Sequence, residues 1–138
     1  YQPGELKAVA YKNGEHWVEK VTKTTGEATQ LKASADRTEI MADGKDLAFI
    51  TIQVSDADGL LVPRSNNLIQ FSIEGPGEIV ATDNGDQTDM TSFTSHHRNA
   101  FNGLALVVVR AKPRKTGSFK VIAESDSVNK ATVTIKTQ

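Results

Sequence analysis

The chain has 138 residues, 38% of them hydrophobic and 24% charged, the proportions of one ordinary globular domain with at most a short extension. Lys and Arg number 16 against 17 Asp and Glu, for a formal net charge of -1, so there is no broad basic field to draw in nucleic acid. Cysteine is absent, which removes disulfides and thiolate-bound metal, and no apolar run approaches the roughly 20 residues that a membrane helix needs.

Residues 6–11 and 17–21 are short aliphatic, aromatic and β-branched runs on either side of Lys12-Asn13-Gly14-Glu15. Asn-Gly tolerates positive φ at both central positions, as a two-residue hairpin turn requires, so a β-hairpin is expected here. A lone hairpin is marginal in water. Residues 1–23 are therefore expected to belong to a sheet whose other strands come earlier in a longer chain. Tyr1-Gln2-Pro3-Gly4 has no signal-peptide character, and Thr24-Thr25-Gly26-Glu27 reads as a linker. The expected division is a terminal hairpin plus linker at 1–25 and a sandwich domain at 26–138.

From residue 28 onward, period-2 alternation recurs between turn signals, the pattern of strands with one buried face. Leu31 and Ala33 begin it. Residues 47–54 set Ile50, Ile52 and Val54 against Thr51 and Gln53, and Asp56-Ala57-Asp58-Gly59 then turns the chain. In 68–73 the inward set is Ile69, Phe71 and Ile73, and Gly75-Pro76-Gly77 breaks it before the strand at 78–81. Residues 104–109 are continuously apolar, as in a central strand covered on both sides. Phe119, Val121 and Ala123 alternate next, and after Ser125-Asp126-Ser127 so do Ala131, Val133 and Ile135. These strands and turns, with no helical period, predict an all-β, immunoglobulin-like β-sandwich of about seven strands preceded by a β-hairpin. Its expected core includes Leu31, Ile50, Ile52, Val54, Ile69, Phe71, Ile73, Leu106, Val108, Phe119, Val121, Val133 and Ile135, with Phe101 also read as core.

The polar clusters are read mainly as turns. Asp56-Ala57-Asp58-Gly59 opens like a calcium loop, but the twelfth position, where a bidentate glutamate is needed, is Asn67. His96 and His97 are adjacent and rarely share one metal ion, and His16 lies far away in the hairpin. No metal, cofactor or catalytic residue is expected. Trp17, Tyr1 and Tyr11 all fall in the hairpin, where packing against missing strands explains them better than stacking on sugars.

Ala42-Asp43-Gly44-Lys45-Asp46-Leu47-Ala48-Phe49, Val54-Ser55-Asp56-Ala57-Asp58-Gly59, Phe71-Ser72-Ile73-Glu74-Gly75-Pro76-Gly77, Asp83-Asn84-Gly85-Asp86 and Ala100-Phe101-Asn102-Gly103 occur in that order. Together they resemble the C-terminal immunoglobulin-like domain of bacterial family 2 glycoside hydrolases of the β-galactosidase kind. The first eleven residues similarly resemble the end of the β-sandwich that precedes it, so the likeness covers essentially the whole chain. Ser95-His96-His97-Arg98 departs from the pattern, in a loop that varies widely across the family.

The resemblance implies a non-catalytic accessory domain in a parent that hydrolyses β-glycosidic bonds with retention. There, two glutamates would lie on a (β/α)8 barrel outside this chain. Implied partners are that barrel and the preceding β-sandwich, with a glycan as a further candidate and neither nucleic acid nor an inserted membrane segment. The implied location is the periplasm, the cell surface or the medium. The acid-rich loop at Asp83, Asn84 and Asp86, with His96, His97 and Arg98, is the candidate polar surface for substrate access or interdomain contact. The competing expectations are a stalk or adhesin repeat of a bacterial surface protein, and a carbohydrate-binding module.

Overall fold

The structure, a computed structural model, describes residues 2–138; Tyr1, with its share of the expected hairpin, lies outside the described residues. In chain order the strands are β1 (Glu5–Lys12), β2 (Glu15–Lys23), β3 (Gln30–Ala35), β4 (Glu39–Ile40), β5 (Leu47–Ser55), β6 (Leu68–Glu74), β7 (Gly77–Asp83), β8 (His97–Asn99), β9 (Leu104–Ala111), β10 (Gly117–Glu124) and β11 (Ala131–Thr137). Among the described residues β1 and β2 pair antiparallel with each other alone. Asn13 and Gly14 between them have φ of 53° and 81°, the left-handed pair that the Asn-Gly turn predicts. The remaining strands form a sandwich of a four-stranded sheet, β3-β5-β9-β7, and a five-stranded sheet, β4-β11-β10-β6-β8.

The alternation read from sequence is the inside-outside pattern of these sheets. Ala48, Ile50, Ile52 and Val54 of β5 are buried, while Phe49 and Thr51 between them are exposed. Ile69 and Phe71 of β6, Phe119, Val121 and Ala123 of β10, and Ala131 and Ile135 of β11 cover them from the opposite sheet. Fully burying an aliphatic or aromatic side chain stabilises by roughly 1.5–3 kcal/mol, so this core can hold without a disulfide. Gly77 opens β7 where the Phe119 ring lies across the backbone; a Cβ there would sit 2.5 Å from the ring's Cδ2.

The seven or so strands expected are present as β3, β5, β6, β7, β9, β10 and β11, and among the described residues β4, of two residues, and β8, of three, add to them, both too short to show any period. Two expectations are corrected. The inward row of β9 is Ala105, Val107, Val109 and Ala111, whereas Leu106, half-buried, and Val108, still buried, lie on the outward face, opposite exposed Thr51 and Phe49 of β5. A run apolar at every position carries no parity, so sequence could not assign its faces. Finally, Phe101 is 41% exposed. It bridges Leu104 across a turn whose central residues, Asn102 and Gly103, have φ of 51° and 79°, and this tight reversal holds both Phe101 and Leu104 on the outside.

Candidate functional site

β7 and β8 are edge strands of opposite sheets, and the chain between them, residues 84–96, crosses the open flank of the sandwich. Its acids build its turns. Asp83 Oδ1 accepts the Gly85 N–H at 3.2 Å, Asn84 Oδ1 the Asp86 N–H at 2.9 Å, Asp86 Oδ1 the Thr88 N–H at 2.9 Å and Asp89 Oδ1 the Thr91 N–H at 2.8 Å. Four Asx-type bonds in succession, each to the residue two ahead, explain why this stretch is so rich in Asp and Asn.

Arg98 holds the loop from inside. Sequence reasoning put it on a polar surface, yet its side chain is 1% exposed. The reason is register: Arg98 pairs with Ile69, and directly opposed residues share a face, here the inner one. From β8 the guanidinium reaches across to the other sheet. Nη2 donates to Thr82 O at 2.6 Å, to Thr82 Oγ1 at 3.3 Å and to Ser92 O at 3.0 Å. Nη1 donates to Thr91 O at 3.0 Å and to Asp89 Oδ2 at 3.2 Å. The Phe93 ring lies 5.8 Å from Arg98 Cζ, within cation–π range. Hydrogen bonds from Thr91, with Arg98 adding a bond and its charge, hold the Asp89 carboxyl well below the usual carboxylate range. Thr82 N–H donates to Phe93 O and Thr82 Oγ1 to Ser95 O, so the C-terminal end of the loop is tied to one β7 residue.

The other predicted site residues separate from Arg98. His96 and His97 are exposed, and the His97 ring meets Ser95 Oγ at 3.0 Å. Asn84 donates to Asp89 Oδ2 at 2.8 Å and to Asn99 O at 3.0 Å, linking the loop to the segment after β8. Among the described residues no group of three or more His, Cys, Asp or Glu is placed to hold a metal ion.

A second anchor lies at Asp56, read in the sequence as a turn residue. It is 3% exposed. Oδ1 accepts the Leu60 N–H at 2.8 Å, and Oδ2 accepts the N–H of the linker residue Gly26 at 2.9 Å. Gln30 Nε2 donates to Asp56 O at 2.7 Å. The Gly26 bond is the main reason its carboxyl is held below the usual value. Asp56 therefore fixes the linker to the sandwich, a role that no turn motif reveals because Gly26 is thirty residues away in sequence.

A family model described as glycoside hydrolase family 2 C-terminal domain 5 matches residues 31–134. The β-galactosidase BoGH2A of Bacteroides ovatus is 36% identical over 138 residues, covering 100% of this chain and 16% of the relative. A solved glycosyl hydrolase family 2 member from Bacteroides cellulosilyticus superposes with a TM-score of 0.93 at 33% identity, over 100% of this chain and 18% of that one. A solved C-terminal fragment of intimin gives a TM-score of 0.53 at 22% identity, over 81% of this chain and 33% of that one, a likeness of fold alone. The chain thus spans less than a fifth of the length of the two family 2 proteins it matches.

Proposed function

The chain belongs to the glycoside hydrolase family 2 C-terminal domain 5 family, and from that premise we propose that it is a non-catalytic accessory module joined to the rest of a longer enzyme through its hairpin. The observation that carries this reading is the state of β1 and β2: every residue of both strands is exposed. In the observed register Leu6, Ala8, Ala10 and Val18 share one face with Thr22 and the aliphatic stem of Lys20, and Lys12 Nζ stands 5.7 Å from the ring centroid of Trp17, itself 67% exposed. Lys7–Glu19 and Lys23–Glu5 ion pairs mark the other face. A two-stranded ribbon with an uncovered apolar face is marginal alone, and a preceding β-sandwich of the same chain is the partner that would cover it.

The parent is read as a retaining, β-galactosidase-like hydrolase, exported to the periplasm, the cell surface or the medium, whose two catalytic glutamates lie on its barrel. The turn-building commitments of Asp56, Asp83, Asp86 and Asp89 support an accessory role for the module. Calorimetry of the full-length enzyme carrying Leu6→Ser, Trp17→Ser and Val18→Ser tests the docking. The expected result is that the sandwich melts as a separate transition, while the 138-residue chain alone melts as before. A full-length profile unchanged by the three substitutions overturns hairpin docking.

A further inference from the structure

Beside the pinned loop lies a cleft whose surface chemistry the fold does not use up. Asn84, Asp86 and Met90 form one wall, and Asn66, Asn99 and Phe101 the other. Asn84 is committed, with its amide donating to Asp89 and to Asn99 O and its oxygen accepting from Asp86 N–H. It therefore fixes the two walls relative to each other. The carboxamides of Asn66 and Asn99 are exposed and bond to no other described residue. Asp86 uses Oδ1 for Thr88 and leaves Oδ2 open. Phe101 offers a ring 41% exposed beside Met90 at 91%.

Uncommitted amides and one carboxylate oxygen next to an aromatic face, on a backbone already locked, form a pre-organised site for a ligand with many hydroxyls and one apolar side. Charge narrows the class. The lining carries Asp86, and Asp89 paired with the buried Arg98, and no Lys, Arg or His. Uronates and phosphorylated sugars would be repelled.

We propose that this cleft binds a neutral saccharide. Phe101 stacks on a pyranose face, and Asn66, Asn99 and the open Asp86 oxygen meet its hydroxyls. Phe101, expected in the core, is turned outward instead and so can meet a ligand. No residue of β1 or β2 lines the cleft, so hairpin docking and saccharide binding can each fail without the other.

The test is a heteronuclear NMR titration of the 138-residue chain with lactose and, at matched ionic strength, with a glucuronate-containing disaccharide. Lactose is expected to shift the amides of residues 66, 84–90 and 99–103 with a Kd of about 1–10 mM, and the uronide to shift none. Phe101→Ala should weaken binding about tenfold or more while leaving the amides of β5, β9 and β10 in place; Leu6→Ala, in the hairpin, should not change it. Three results overturn the proposal: no shifts at about 100 mM lactose, shifts centred elsewhere, or equal binding of the uronide. Protection of these amides from hydrogen exchange in the sugar-free full-length enzyme beyond that in the 138-residue chain alone, where several already bond within the fold, would identify the cleft as a domain contact and would equally overturn it.

Discussion

Replacing Arg98 with methionine keeps most of the apolar stem and removes the guanidinium. Five hydrogen bonds disappear, three of them to backbone carbonyls of Thr82, Thr91 and Ser92. Breaking a buried charged network by deleting one partner costs about 3–5 kcal/mol. The loop carbonyls lie near solvent, and Asp89 is 15% exposed, so water can replace part of what is lost and the lower end, about 3 kcal/mol, is expected. For a sandwich of roughly 110 residues that is a fall in Tm of about 10–15 °C. The single tryptophan, Trp17, sits in the hairpin, so its fluorescence is blind to the sandwich, and urea unfolding should be followed by far-UV circular dichroism. The midpoint should drop with the slope unchanged. Arg98→Lys should recover little, because an ammonium cannot span acceptors on both sides of the flank. A methionine variant within about 1 kcal/mol of the parent, or a lysine variant equal to arginine, would refute the idea that the guanidinium latches the loop.

Three further outcomes are expected. Val107→Ala should cost about 2–3 kcal/mol and Leu106→Ala about 1 or less, measured by urea unfolding; equal costs would contradict the inward row assigned to β9. Gly77→Ala forces a Cβ into the Phe119 ring, 2.5 Å away, and should cost about 1–3 kcal/mol, part of which Phe119→Leu in the same chain should restore. The folded-state pKa values of Asp56 and Asp89 lie below their reference value of 3.8, so the stability they contribute is present above that value and lost as the pH falls through their lower folded values. Urea midpoints measured from neutral pH downward should therefore decline below about pH 4, and less steeply in Asp56→Asn than in the parent.

Strands with one dry face were legible because their alternation survives in the bare sequence: Ile50, Ile52 and Val54 are buried where the period placed them. The Asn13-Gly14 turn was legible because few other pairs accept two left-handed residues. Leu104 to Val109 hid its parity by being apolar on both faces. Arg98 hid for the opposite reason. It stands between His97 and Asn99 in a three-residue strand, where polar neighbours carry no hydropathy signal; the only trace was Ala100, two residues on and also buried. The acids of the 83–89 stretch read as turn formers from residue type alone, but their mutual arrangement depends on β7 and β8 lying on facing edges, a long-range fact that no local window contains.

The edges of the sandwich are uniformly poor templates for another chain. β4 and β8 are two and three residues long, β7 changes register between Ile79 and Ala81, and the start of β3 is covered by Asn129, whose carbonyl takes the Leu31 N–H at 2.8 Å. Short, bulged or covered edges suppress strand addition between molecules. The Arg98 latch contributes to the same end, because it draws the 84–96 stretch over the flank where β7 and β8 would otherwise present unpaired backbone. Loosening it should therefore raise the tendency of the protein to self-associate through its edges as well as lower its melting point.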